Sequence, residues 1–487
     1  MSLRLSDLVK RDLAVDPEIH GVTADSRKVQ PGFLFAALPG STVDGRKFIP
    51  TAIEAGAAAI LAPDDVVDLA VPVIHAGDLR RAYALAAANF WGAQPATCVA
   101  VTGTNGKTSV ATFCRQIFAR AGHTAASMGT LGVTISAPGQ PDRQITPPGL
   151  TTPDAADVAG LLAILVAEGV THLALEASSH GVDQRRLDGV KLTAAGYLNL
   201  TQDHLDYHGT MGVYRAAKLR LFETLLPRDG TAVLNADSDQ FPAFAAAATT
   251  AGQTILSTGV SGEGIRLVER ELRPDGQKLH LDYQGLGYRI HLPLAGAFQA
   301  DNALVAAGLC IAAGVDPATA FSALERLDGA PGRLQRVGAA PGGGEAYVDY
   351  AHTPDGLETV LNALRPHTQG RLIVVFGAGG DRDRTKRPLM GGIAARLADI
   401  AIVTDDNPRS ENPAAIRAEV AAGSTGLKDI GDRREAIRAA VAMLQPGDVL
   451  VVAGKGHEQG QLIAGVTHPF DDVSETAAAL GLETANA

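Results

Sequence analysis

Thr97-Cys98-Val99-Ala100-Val101-Thr102-Gly103-Thr104-Asn105-Gly106-Lys107-Thr108-Ser109-Val110-Ala111-Thr112-Phe113-Cys114 is the stretch that decides the fold of this chain. A short apolar run, a glycine turn and a helix-compatible run read as strand, loop and helix. That arrangement holds a nucleoside polyphosphate at a helix N-terminus. The glycines permit a tight turn whose N–H groups aim at phosphate oxygens. Lys107 reaches the β- and γ-phosphates, and the Thr108 hydroxyl is placed for Mg²⁺. The general P-loop carries four residues between its two glycines, and here Val101 stands where the first glycine belongs. The competing reading is an ordinary glycine turn before a helix. Gly-Lys-Thr at a strand-to-helix junction is uncommon by accident, which favours ATP.

Around this stretch the chain has too many residues, 487, for a single core. Its hydrophobic fraction of 46% against 20% charged residues describes a well-packed globular protein. The net charge of −11, with no basic block to offset it, argues against a nucleic-acid partner. Apolar stretches such as 155–170 are broken by Asp157, Gly160 and Glu168 and fall short of the ~20 residues of a membrane span. The opening residues 1–7 have no apolar core of the kind a signal peptide needs. Cys98, Cys114 and Cys310 are far apart and lie in apolar runs, as buried thiols do. These features lead to the expectation of a cytoplasmic protein; a monomer is expected too, though no feature of the sequence carries it.

The pattern predicts an α/β fold in three domains. Residues 1–92 carry a strand at 33–38, a helix at 48–55 and a strand at 57–61, and 91–95 read as a linker. Residues 93–330 alternate short apolar strands with helices, as a parallel sheet covered on both faces does, and 265–293 alternate residue by residue like a small antiparallel sheet. Residues 331–487 restart the alternation in Rossmann-like fashion, with strands at 371–376, 400–403 and 449–453.

Three features carry chemistry. The run 171–176 is a short strand ending in Glu176, placed like the metal-site acid of P-loop enzymes. By itself Glu176 reads equally as an exposed strand-end acid, and the upstream glycine loop shifts the reading toward metal. Asp203-His204-Leu205-Asp206-Tyr207-His208 is a dense polar cluster, a solvated loop in its plain reading, in which His204 is able to ligate a divalent ion. Lys218 shares one helix face with Tyr214, Leu221, Phe222 and Leu225 in a helix expected at 213–226. A lysine on an apolar stripe ordinarily snorkels. Burial instead lowers its pKa, and a neutral amine adds CO₂ to become a carbamate with carboxylate-like charge.

Here the chain resembles the ATP-dependent Mur ligases, whose own glycine loop has this shortened form. The resemblance rests on Gly103–Ser109, Glu176-Ala177-Ser178-Ser179-His180, Asp203–Gly209, Tyr214–Lys218, Asp301-Asn302-Ala303, Gly332-Arg333-Leu334-Gln335 and Asp349-Tyr350-Ala351-His352-Thr353-Pro354-Asp355, and it spans all three domains. It implies a UDP-muramoyl substrate-binding domain at 1–92, an ATP-binding domain at 93–330 and an amino-acid-binding domain at 331–487. It further implies a carbamylated Lys218 working with Lys107, Glu176 and His204, and Mg²⁺ held by Thr108, Glu176, His204 and Lys218. The nucleotide would be held by Gly103, Thr104, Asn105, Gly106, Lys107, Thr108, Ser109, Asn302, Arg333 and Asp349. The UDP-muramoyl-dipeptide would be held by Ala24, Ser26, Ser41, Thr42, Val43, Thr151, Thr152, Ser178, Gln184 and Arg186. Pro147-Pro148-Gly149-Leu150 lacks a polar residue that some relatives place before Thr151.

Asp406-Asn407-Pro408-Arg409 follows the strand 400–403, at a sheet's carboxyl end where α/β folds bind ligands. By composition it is a polar turn. Within the family it resembles the recognition motif for meso-diaminopimelate, with Arg382, Gly454 and Glu458 as companions. Diaminopimelate differs from lysine by one distal carboxylate, which a guanidinium grips with two parallel hydrogen bonds. The resemblance therefore implies ATP-dependent addition of meso-diaminopimelate to the D-Glu γ-carboxylate of UDP-N-acetylmuramoyl-L-Ala-D-Glu through an acyl phosphate. His352 is a candidate for the base. The rivals are a lysine-adding relative, a folylpolyglutamate synthase, and a nucleotide-binding switch, for which no Asn-Lys-x-Asp motif is present.

Overall fold

The computed structural model describes residues 2–40, 43–273 and 275–482. The chain divides into two compact units, Met1–Gly264 with Val305–Ala320, and Ile265–Leu304 with Phe321–Ala487.

The first unit contains a four-stranded parallel sheet in the order Gly21–Thr23, Phe33–Ala36, Ala59–Ala62 and Val73–His75. The helix expected at 48–55 starts earlier, as a 3₁₀ turn at Gly45–Phe48, because the Asp44 carboxylate accepts the Arg46 N–H and caps it. The strand expected at 57–61 is Ala59–Ala62, since the Ala57 N–H is already spent on the Ala52 carbonyl that closes the preceding helix. Trp91 is not linker: it is the last residue of the helix Leu79–Trp91, which stops at Gly92 in a left-handed conformation with φ of 68°.

The larger sheet of this unit runs Arg143–Thr146, Gly132–Ser136, Ala125–Gly129, His172–Glu176, Thr97–Thr102, Ala194–Tyr197, Thr231–Asn235 and Thr254–Gly259. The pairs from Ala125–Gly129 to Thr254–Gly259 are parallel, and the hairpin at the edge is antiparallel. Thr97–Thr102 lies between a later strand on each side, so the strand order reverses there, and the crevice above such a reversal is where open α/β sheets bind ligands. The following helix, Lys107–Arg120, is buried from Thr108 to Phe118. The helix around Lys218 spans Met211–Arg220, two residues earlier than expected because the Thr210 hydroxyl caps Val213 N–H, and continues as a π-helical turn at Leu221–Leu225. All three cysteines are buried free thiols.

At the opposite end of the strand His172–Glu176, His172 stacks on His123 with ring centroids 3.8 Å apart and packs against Phe118. Burial first, then His123, push its pKa down to about 4. An unfolded histidine takes up its proton near 6.5, so between 6.5 and about 4 the unfolded state binds a proton that the folded state refuses. Stability therefore falls as pH drops through this window and the contribution levels off below it. Urea midpoints measured from pH 7 to 4 are expected to decline less steeply in His172→Gln than in the wild type.

The second unit holds the antiparallel sheet Ile265–Arg273, Gly276–Tyr283 and Leu286–Leu292. Its other sheet runs Gln335–Ala339, Glu345–Asp349, Val449–Ala453, Leu372–Phe376, Ile400–Val403 and Lys428–Asp429, parallel except at the first pair. Val449–Ala453 and Leu372–Phe376 are buried throughout, as strands covered on both faces must be.

Candidate active site

Gly106 takes φ of 88° at the helix N-cap, a conformation that glycine reaches without a side-chain clash. The loop is braced from the neighbouring strand. Thr104 N–H donates to Asn199 O at 3.0 Å, Asn105 N–H to Asn199 Oδ1 at 2.9 Å, and Thr201 N–H to Thr104 Oγ1 at 3.0 Å. Lys107 Nζ donates to the carbonyls of Gly103 (2.8 Å) and Thr104 (2.9 Å), folded back over its own loop.

Glu176, 3% exposed, lies at the carboxyl end of the adjacent strand, and Thr108 Oγ1 donates to its Oε2 at 3.0 Å. Thr130 is a partner that the sequence reading missed. Its N–H donates to Glu176 Oε1 at 2.9 Å and its hydroxyl meets Thr151 Oγ1 at 2.9 Å, linking the acid to the segment that follows. Gly129 gives the carboxylate its room, since a Cβ there would lie 2.0 Å from Glu176 Oε1. A strand ending in Gly-Thr beside an acid-ended strand is the signal that would have found both. Gly129→Ala is expected to cost about 1–3 kcal/mol by overpacking and to lower turnover on the order of 10²-fold through displacement of Glu176, read by urea denaturation and steady-state rate.

Lys218 is 1% exposed, and its Nζ donates to Gly103 O at 2.8 Å and sits 4.6 Å from the Tyr214 ring centroid. Burial, reinforced by the Lys107 charge, pulls its pKa well below the ordinary lysine value, while Asp203 pulls it back up. His204 is exposed, has φ of 52°, and lies 3.4 Å from Asp203 Oδ2 and edge-on to the His180 ring. Among the described residues no three His, Cys, Asp or Glu converge as a ready-made metal cage. The paired Thr108 hydroxyl and Glu176 carboxylate nonetheless fit Mg²⁺, which keeps waters and phosphate oxygens and takes one or two carboxylates from the protein.

Thr152 Oγ1 donates to Glu176 O and accepts from Ser178 N–H. Ser178 caps the helix at Gly181, and Arg186 donates to Thr152 O at 2.6 Å and to Gln184 Oε1 at 2.8 Å. Thr152, Ser178, Gln184 and Arg186 thus form one hydrogen-bonded group beside Glu176, and Thr151 joins that acid through Thr130. Ala24 and Ser26 flank Asp25 at the carboxyl end of Gly21–Thr23 in the smaller sheet, and Val43 is exposed. Ser41 and Thr42 lie outside the described residues.

In the second unit, Asp349 accepts from Leu334 N–H at 2.7 Å and Ala351 N–H at 2.8 Å. Burial raises its pKa, and Arg333 opposes that. The Arg333 guanidinium lies 4.8 Å from the Tyr350 ring centroid, and Asn302 donates to Gln299, whose amide reaches Arg333 O.

The carboxyl ends of this unit's parallel strands open into a cavity of about 370 Å³ lined by Arg382, Asp406, Asn407, Arg409, Gly454 and Glu458 together with Tyr350, His352, Gly379 and Lys386. Pro408 does not line it; its carbonyl receives Glu411 N–H and fixes the turn. Arg409 Nη1 donates to Gly380 O at 2.7 Å. Arg387, fully buried, holds the surrounding loops by pairing with Glu411 and Glu419 and donating to Gly379 O. Lys386 Nζ donates to His352 O at 3.0 Å, and burial lowers its pKa.

Three family models match the chain: "Mur ligase family, catalytic domain" over residues 18–90, "Mur ligase middle domain" over 101–310, and "Mur ligase, glutamate ligase domain" over 332–456. A relative from Caulobacter vibrioides named UDP-N-acetylmuramoyl-L-alanyl-D-glutamate–2,6-diaminopimelate ligase is 70% identical over 99% of both chains. One of the same name from Brucella melitensis is 55% identical over 96% of this chain and 95% of its own. A solved structure of that name is 34% identical and superimposes with a TM-score of 0.75 over 99% of both chains. The Acinetobacter baumannii D-alanyl-D-alanyl ligase, at 22% identity and a TM-score of 0.61 over 92% of this chain and 94% of its own, shares the fold. A three-domain α/β chain with this braced loop, matched along its length by such relatives, belongs to the Mur ligase family.

Proposed function

We propose that this protein is an ATP-dependent ligase joining meso-2,6-diaminopimelate to the D-Glu γ-carboxylate of UDP-N-acetylmuramoyl-L-Ala-D-Glu, a cytoplasmic step in the synthesis of peptidoglycan precursors. The observation that carries this reading is the convergence of Arg382, Arg409 and Glu458 on one cavity. Two guanidiniums and a carboxylate complement a distal amino acid group, carboxylate against arginine and ammonium against glutamate. The names of the relatives at 70% and 55% identity support it.

The domain roles are assigned to 1–92 for the UDP-muramoyl substrate, 93–330 for ATP and 331–487 for the amino acid. The Gly103–Ser109 loop, Asn302, Arg333 and Asp349 hold the nucleotide. Ala24, Ser26, Ser41–Val43, Thr151, Thr152, Ser178, Gln184 and Arg186 hold the muramoyl-dipeptide. Thr108, Glu176, His204 and a carbamylated Lys218 hold Mg²⁺, which supplies charge neutralisation on the transferring phosphoryl group. The γ-carboxylate oxygen attacks the γ-phosphorus of ATP, releasing ADP and leaving an acyl phosphate. Lys107 turns from its own loop carbonyls to the phosphate oxygens that gain charge. The amine then attacks the acyl carbon, the C–N bond forms, the C–O bond to phosphate breaks, and the amine proton leaves. His352, which lines the amino-acid cavity, is the candidate acceptor of that proton.

The reading assigns the protein a monomeric state. No helix of the described residues is long and apolar enough to cross a membrane.

The test is to label the D-Glu γ-carboxylate with ¹⁸O and follow phosphate release. One label in the released phosphate, with release dependent on all three substrates, is expected. Phosphate release indifferent to the muramoyl-dipeptide would favour a nucleotide-binding switch.

A further inference from the structure

Lys455 is fully buried and does not line the amino-acid cavity, yet it is tied to three residues that do. Its Nζ donates to Asn407 Oδ1 at 2.9 Å and Gly460 O at 2.7 Å, and lies 3.7 Å from Asp406 Oδ1 and 3.8 Å from Glu458 Oε2. Asn407 Oδ1 also accepts Leu462 N–H at 2.9 Å. With two donors on that oxygen, the amide has one orientation, and Nδ2 is left to donate to Glu458 Oε2 at 2.9 Å. The backbone is shaped to the same end. Gly454 and Gly456 on either side take φ of 128° and 56°, and a Cβ on Gly454 would lie 2.7 Å from Asp406 Oδ2. Arg433, a buried cation whose charge acts on Lys455, is paired with Asp472 and donates to Ala453 O.

We propose that Lys455 is a specificity-determining positioning residue: its buried ammonium locks the Asn407 amide, and Asn407 holds the Glu458 carboxylate toward the distal ammonium of the incoming amino acid. This rests on the amino-acid-ligase reading of the cavity. Sequence alone presents Lys455 as one more cation of Gly454-Lys455-Gly456-His457-Glu458, and only the structure turns it away from the ligand. The hydrogen-bonded role and a purely electrostatic one predict opposite results. Removing a cation makes the subsite more negative and, on charge alone, tightens an ammonium. Removing the donor frees Asn407 to turn and leaves buried polar atoms unpaired, which loosens it.

The experiment is steady-state kinetics on the full chain with each of the three substrates varied in turn, using Lys455→Met, Lys455→Gln, Asn407→Ala and the Lys455→Met/Asn407→Ala pair. Lys455→Met is expected to raise KM for meso-diaminopimelate about 10- to 100-fold and to leave KM for ATP and the muramoyl-dipeptide within about twofold. Lys455→Gln, which keeps an N–H donor without the charge, recovers part of the loss. In the Asn407→Ala background Lys455→Met adds nothing further, because the residue acts through Asn407. An unchanged or lowered KM for diaminopimelate in Lys455→Met, an equal rise in all three KM values, or full additivity of the two substitutions would overturn the proposal. Failure of the wild type to join diaminopimelate at all defeats the ligase reading itself, and the role of Lys455 with it.

Discussion

Lys218→Met is expected to lower turnover by on the order of 10²–10³-fold while the protein remains folded. The unmodified ammonium is 1% exposed and hydrogen-bonds to Gly103 O beneath the phosphate loop. A cation there costs desolvation, so burial and the Lys107 charge favour the neutral amine. The neutral amine attacks CO₂, forming an N–C bond and releasing a proton. The resulting carbamate would carry a negative charge in place of a positive one within the field of Lys107. Methionine, unbranched and of similar length, keeps most of the buried volume while removing the carbamate. Two measurements check this. Wild-type enzyme depleted of CO₂ is expected to lose turnover and regain it on adding bicarbonate, whereas Lys218→Met responds to neither treatment. A bicarbonate-indifferent wild type, with turnover retained in Lys218→Met, would show that the lysine is structural.

Arg409→Ala is the second large effect. Arg409 has φ of 52°, its N–H donates to Leu462 O at 2.9 Å, and its guanidinium, held against Gly380 O, lines the cavity. Alanine bears the same left-handed strain as arginine, so the substitution removes the side chain without altering the backbone preference. With diaminopimelate bound, the guanidinium would exchange the Gly380 carbonyl for a carboxylate. With lysine bound, no carboxylate arrives. Sites built to pair such a group reject the analogue lacking it by on the order of 10⁴. The ratio of kcat/KM for meso-diaminopimelate to that for L-lysine is therefore expected to collapse by about 10³–10⁴ in Arg409→Ala, mainly through loss of the diaminopimelate reaction. A ratio left intact would move the recognition to Arg382.

The parts of the site legible in the sequence are those written within a few residues of one another. The loop at Gly103–Ser109, the strands Ile400–Val403 and Val449–Ala453, and the alternating run that becomes Ile265–Leu292 all follow from local periodicity and turn chemistry. What the sequence hid depends on contacts across strands. Thr130 and Gly129 reach Glu176 over more than forty positions, so their role shows only once the strand that ends in Gly-Thr is set beside the one that ends in Glu176. Arg387 and Lys455 look like surface cations, yet both are fully buried, because Glu411, Glu419 and Asn407 arrive from other segments to pair with them. Element ends shifted for a related reason: Asp44 and Thr210 cap helices through side-chain geometry that hydrophobic periodicity does not register.

The central claim is tested most directly by offering the protein ATP, Mg²⁺ and UDP-N-acetylmuramoyl-L-Ala-D-Glu with meso-diaminopimelate or L-lysine in parallel, and weighing the product. A muramoyl-tripeptide formed with diaminopimelate and not with lysine is the predicted result. A tripeptide formed equally well with lysine, or no peptide with either amino acid, would contradict the account.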